Sequence, residues 1–144
     1  SYFAAQAGIG IVSQLPEDDC VVKGDRLQLV SAVSNLIDNA VKYSEKGDKV
    51  TVRVSPLEET VDVAVSDEGI GIPQSDIDRI FERFYRVDRA RSRGTGGTGL
   101  GLSIVRHVMN NHGGSVNVTS QEGEGSTFVL TLLRPSGNTA VNNI

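Results

Sequence analysis

The sequence predicts an α/β sandwich: a mixed, mainly antiparallel sheet of about five strands covered on one face by three helices. Two runs of strict alternation, residues 50–54 and 61–65, flank a polar loop containing Pro56 and read as a hairpin. A second hairpin surrounds Gly123-Glu-Gly125, between strand candidates at 115–119 and 126–133. Helical stretches separate these hairpins from each other and from the strand candidates before residue 25. Hairpins supply antiparallel pairs, whereas a connection through a helix allows a parallel one, so the sheet is mixed.

Taken in order, residues 1–8 read as the end of a preceding helix and a linker, and 8–14 and 20–23 as strands. Asp25 opens a helix, with Gln28 as its capping-box partner and Gly47 just past its end. On a wheel of 3.6 residues per turn, Leu29, Val33, Leu36, Ile37 and Ala40 form an apolar arc, with Asn35, Asn39 and Lys42 together on the opposite side. A short helix follows Pro73. Ser75 is placed to cap it, and Ile77, Ile80, Phe81 and Phe84 recur on one core-facing stripe. A Gly- and Arg-rich loop at 85–98 leads into a third helix carrying Leu100, Ile104, Val105, Val108 and Met109, which stops at Gly113-Gly114. Residues 135–144 read as a disordered tail, leaving one domain at 9–134.

Composition narrows the function classes. The chain has 144 residues, 38% hydrophobic and 22% charged, and no apolar run approaches a membrane span. Its net charge of −4 disfavours general nucleic-acid binding. Six arginines, Arg79, Arg83, Arg86, Arg89, Arg91 and Arg93, nevertheless crowd one short stretch and suit a local anionic partner. The single cysteine, Cys20, closes no internal disulfide and is compatible with a reducing compartment such as the cytoplasm.

Three polar features stand out. Asn is a poor interior helix residue, so Asn35 and Asn39, one turn apart, are either a solvated face or ligands, and amide oxygens suit Mg²⁺. Asp67 shares the parity of Val61, Val63 and Val65. It either points into the core, where it needs a partner, or merely starts a turn in which Gly69 and Gly71 let backbone approach a ligand. Glycines 94, 96, 97, 99 and 101 precede the third helix, whose N-terminus is suited to phosphate; as a lone feature they equally suit a linker. The G-x-G-x-x-G match at 94–99 follows no strand, and no P-loop is present.

In order, Asn35-Leu-Ile-Asp-Asn39-Ala-Val-Lys-Tyr-Ser44, Asp67-Glu-Gly-Ile-Gly71-Ile-Pro73, Phe81-Glu-Arg-Phe-Tyr-Arg86 and Gly97-Thr-Gly-Leu-Gly-Leu102 closely resemble the N, G1, F and G2 boxes of sensor histidine kinases. The resemblance runs over about 9–133 and includes Gly125-Ser-Thr-Phe128. It implies the Bergerat ATP-binding fold of the GHKL superfamily. By that resemblance Asp67, helped by Thr127, accepts from the adenine amino group, with Gly69, Gly71, Ile72 and Tyr43 near the base. Asn35 and Asn39 hold Mg²⁺, Lys42 and Arg86 meet phosphate, and Gly97, Gly99, Leu100 and Gly101 offer backbone N–H groups beneath a mobile lid at 85–98. Asn39, Lys42 and Arg86 are the implied catalytic residues.

The implied activity is transfer of the ATP γ-phosphoryl group to a histidine on a separate dimerisation helix domain of the same protein, for relay to a response regulator. The resemblance further implies a cytoplasmic domain of a homodimer at a bacterial inner membrane. Hydrolysing relatives carry Glu at position 35, whereas Asn35 takes no proton, which favours a kinase. The family's phosphoacceptor motif is missing. His107 and His112 lack a following acid and read as helix-end histidines suited to the dipole. An anti-sigma-factor-type serine kinase and a non-enzymatic nucleotide-responsive module are the alternatives.

Overall fold

The computed structural model describes residues 8–17, 21–45, 47–82 and 101–135. Within them, five strands form one sheet in the order β1-β2-β3-β5-β4: β1 (Gly10–Gln14), β2 (Lys49–Pro56), β3 (Thr60–Asp67), β4 (Ser115–Gln121) and β5 (Gly125–Leu133). β1 runs parallel to β2, and every other pair is antiparallel. Three helices, α1 (Arg26–Tyr43), α2 (Gln74–Ile77) and α3 (Gly101–Asn111), lie among the described residues.

Strict alternation decides which sheet face is covered. Val61, Val63, Val65 and Asp67 of β3 and Ser126, Phe128, Leu130 and Leu132 of β5 are buried, while the residues between them are half-exposed. Ala32, Leu36, Ala40 and Val41 of α1 and Val105, Val108 and Met109 of α3 close the core over that face. The opposite face carries small polar groups, with Thr131 Oγ1 donating to Asp62 Oδ1 at 2.9 Å.

Several local expectations are corrected. β1 begins at Gly10, with Ile9 buried before it, rather than at residue 8. Residues 21–23 form no strand: Lys23 N–H reaches Leu133 O at 2.8 Å, but no ladder follows, and Cys20 lies outside the described residues. Pro56 ends β2 instead of sitting in the loop, which Leu57 N–H closes onto Thr60 O. α2 has Pro73 at its N-cap with no side-chain cap bond, so Ser75 is a helical residue and not the cap.

α2 gives way after Ile77 to successive turns, yet the apolar stripe persists. Ile80 is buried, and the Phe81 ring meets Phe128 edge-on at 6.2 Å with Arg106 over its face. Phe84 lies outside the described residues. On α3, Ile104 is exposed rather than part of the core stripe, and Leu100 lies outside the described residues. Gly113 (φ +69°) ends α3, its N–H on Asn110 O and that of Gly114 on Met109 O, the pairing of a Schellman cap.

α1 is capped as expected at one atom and not at another. Asp25 Oδ1 accepts from Gln28 N–H at 3.1 Å, but Asp25 N–H donates to His112 Nε2 at 2.9 Å, so His112 and not Gln28 completes the cap. His112 Nδ1–H donates to Val108 O at 2.8 Å, which fixes the neutral tautomer. The ring also packs where a Cβ on Gly24 would stand. His112 therefore ties the start of α1 to the end of α3, a role beyond a helix-end charge. His112→Ala should destabilise the fold by about 1 kcal/mol, read as a melting temperature lower by roughly 2–4 °C. An unchanged melting temperature would remove that tie. At its other end α1 stops through Ser44, whose buried hydroxyl donates to Ala40 O at 2.8 Å, and not through Gly47, which sits in the next turn. No helix among the described residues is long and apolar enough to cross a membrane.

Candidate active site

Asp67 is the last residue of β3 and only 6% exposed, so its side chain points into the core with the valines and does not merely begin a turn. Its Oδ1 accepts from Gly69 N–H at 2.9 Å and Ser126 N–H at 3.3 Å. No described residue donates to Oδ2. Burial pushes the carboxyl from 3.8 up to about 6, overriding the two N–H bonds that favour the charged form, and the Asp48 charge adds a smaller push upward.

The turn after Asp67 is held by close backbone contact on two sides. A Cβ on Gly69 would overlap Tyr43 O at the end of α1, the carbonyl that also accepts Ile70 N–H. Gly71, at φ +77°, lies against the backbone of Gln121 in the β4–β5 hairpin, where no side chain fits. Ile70 O accepts Gly123 N–H at 2.8 Å, and Ile72 N–H donates to Ser120 Oγ at 2.7 Å. The side chains of Ile72 and Tyr43 are buried in the core.

On α1, Asn35, Asn39 and Lys42 are half-buried, flanking the core rather than opposing it, because Ala32 and Tyr43 extend the buried arc toward them. Leu27 and Val30 hold the solvent side instead. Asn35 Nδ2 donates to Ser31 O at 2.9 Å, and its Oδ1 faces Gly101, the first residue of α3. Asn39 Nδ2 is buried with no hydrogen-bond partner among the described residues. An orphaned buried amide costs about 1–3 kcal/mol. A phosphate oxygen or a metal-bound water would satisfy it, while the amide oxygen is a hard ligand, so the residues fit Mg²⁺ and phosphate. Gly101 of α3 approaches Asn35 on this side.

Thr127 requires a correction. It shares the parity of Val129 and Thr131, and its Oγ1 lies 2.9 Å from Ser66 Oγ on the opposite face of the sheet from the Asp67 side chain. Ser126 is the residue beside Asp67: the two are register partners, and both are buried. The signal lies in the alternation Phe128, Leu130, Leu132, which places Ser126 on the core face. Arg86, Gly97, Gly99 and Leu100 lie outside the described residues, as does the expected lid at 85–98.

The long helix that carries Asn35 and Asn39 packs on the strand that ends at Asp67, and this mixed-sheet fold is shared with ATP-binding catalytic domains of the sensor histidine kinase type. The chain belongs to the family described as histidine kinase-, DNA gyrase B-, and HSP90-like ATPase, which matches residues 24–136. It is 52% identical over 111 residues to the sensor-like histidine kinase SenX3 of Mycolicibacterium smegmatis, covering 77% of this chain and 29% of that protein. The structure of the mycobacterial sensor histidine kinase MprB superposes with a TM-score of 0.81 at 32% identity, covering 92% of this chain and 89% of that one. Full-length ShkA in complex with AMPPNP gives a TM-score of 0.79 at 29% identity, covering 93% of this chain and 28% of that one. The chain spans less than a third of the length of the SenX3 relative.

Proposed function

We propose that this chain binds Mg·ATP and transfers its γ-phosphoryl group to a histidine on a separate helix domain of the same protein, from which a response regulator is loaded. The observation that carries the proposal is the buried Asp67 carboxylate, whose Oδ1 is held by two backbone N–H groups and whose Oδ2 is left to an outside donor such as the adenine amino group. Ser126 stands beside it, and the Gly69 and Gly71 turn sets the backbone rim.

Asn39 and Asn35 would hold Mg²⁺, which neutralises charge on the phosphates when bound. Lys42 on the same flank of α1 and Gly101 at the start of α3 are assigned to phosphate. Arg86, Gly97, Gly99 and Leu100 keep their proposed phosphate roles on sequence grounds. The work of these residues is positioning and charge stabilisation at a transferring phosphoryl group. Asn35 offers no base to activate water, which supports transfer over hydrolysis.

The nucleophile comes from outside. The chain's two histidines are engaged: His112 through both ring nitrogens, and His107 Nε2 with Asn111 Nδ2 at 3.2 Å. In the same reading the whole protein is a homodimer at a bacterial membrane, with this domain in the cytoplasm. With labelled ATP, the chain alone should stay unlabelled, and adding the helix domain of its parent protein should place acid-labile, base-stable label on that domain. Label on His107 or His112 would overturn the assignment, and acid-stable label on a Ser or Thr of a partner would favour a serine kinase. ATP binding with no transfer to either would leave a nucleotide-responsive module.

A further inference from the structure

We infer that Ser120, at the end of β4 and outside every box of the family resemblance, is a positioning residue that sets the site's preference for a purine bearing an amino group over one bearing a carbonyl at the same edge. The inference rests on the proposed ATP site.

Three groups surround the Ser120 hydroxyl. Ile72 N–H donates to it at 2.7 Å, Gly125 O lies at 3.1 Å, and Ser126 Oγ at 2.8 Å. Ser120 has one proton and two lone pairs. Gly125 O has no proton and can only accept, so the Ser120 proton goes there. One lone pair takes Ile72 N–H, and the other is left for the proton of Ser126. Ser126 is thereby the donor in the serine pair and faces the site with lone pairs alone.

Beside it Asp67 is also an acceptor, with Oδ1 occupied by Gly69 and Ser126 N–H groups. Two adjacent acceptors favour a ligand edge that donates, as the 6-amino group of adenine does, and disfavour the 6-carbonyl of hypoxanthine. Without the Ser120 hydroxyl, the Ser126 proton is released to turn into the site and meet that carbonyl. The same hydroxyl holds Ile72 in the turn after Asp67, so one side chain joins the hairpin, the turn and the Ser126 rotor.

Calorimetry with Mg·ATP and Mg·ITP on wild type, Ser120→Ala and Ser120→Thr separates this role from simple support of the turn. Wild type should prefer ATP. In Ser120→Ala the ATP-over-ITP ratio should fall by about tenfold, the worth of one hydrogen bond whose direction is lost, and Ser120→Thr should restore it. An equal loss for both nucleotides, or a threonine variant that behaves like alanine, would overturn the specificity role. Should the alanine variant not fold, Ser120→Cys, a weak donor and acceptor of similar size, carries the same comparison. Failure of wild type to bind either nucleotide would instead sink the ATP reading itself, and this inference with it.

Discussion

Asp67→Asn is expected to weaken ATP binding by roughly 10- to 150-fold, the worth of a hydrogen bond to a charged group, while making the empty domain more stable at neutral pH. Both effects come from one carboxylate. The asparagine oxygen can still accept the two backbone N–H groups, but its NH₂ replaces the free Oδ2 and confronts the ligand's amino group donor to donor. Burial raises the Asp67 carboxyl from 3.8 to about 6, so the folded state holds this proton more tightly than the unfolded chain. The stability this confers is complete below pH 3.8, is lost as pH rises toward about 6, and is absent above it. The neutral variant escapes that loss. Its melting temperature should exceed that of wild type at pH 7.5 and converge with it below pH 4, as pH-dependent melting would show. Conversely, wild-type affinity for ATP should fall as pH drops through about 6, because a protonated carboxyl is a poorer acceptor. Undiminished ATP affinity in a folded Asp67→Asn variant would place the base elsewhere.

Gly125→Ala should cost about 3 kcal/mol or more and leave little folded protein, whereas Gly123→Ala two residues away should cost only about 1–2 kcal/mol. Both glycines have positive φ, +123° and +83°, so both substitutions meet backbone strain. They differ in what a Cβ would touch. At Gly123 the space is open, while at Gly125 the Cβ would overlap Asp67 O in the neighbouring strand. Backbone in a central ladder cannot yield without parting β3 from β5. Chemical denaturation of the two variants measures the difference, and equal losses would show that strain alone decides.

The hairpins and the two longer helices were legible because each rests on local periodicity: alternating valines in β2 and β3, and apolar spacing in α1 and α3, whereas the stripe assigned to α2 runs on into turns after Ile77. Parity placed Asp67 on the core side but left it open between a core-facing acid and the start of a turn, and its 6% exposure decides for the first. The choice between Ser126 and Thr127 was equally a matter of parity, since counting back from Phe128 gives Ser126. The other contacts were not legible. Ser120 and Ile72 lie 48 residues apart, and Asp25 and His112 lie 87 apart. Such pairs depend on the register of β4 on β5 and on the packing of α1 beside α3, which no local pattern specifies. Residues 21–23 misled because short apolar runs suit a strand, yet only Lys23 finds a partner backbone.

The register that sets Ser126 opposite Asp67 also has a consequence for synthesis on the ribosome. A growing chain completes β1, α1 and the β2–β3 hairpin early, and by then it already contains Asp67, Asn35 and Asn39. Until β5 emerges, β3 is an open edge and Asp67 lacks the Ser126 N–H, the Gly125 contact and the serine beside it. Closing β5 between β3 and β4 joins segments about sixty residues apart, a slow, non-local step. The surroundings of Asp67 are therefore incomplete until β5 has docked on β3. A truncated chain released early exposes a strand edge that invites pairing with other chains.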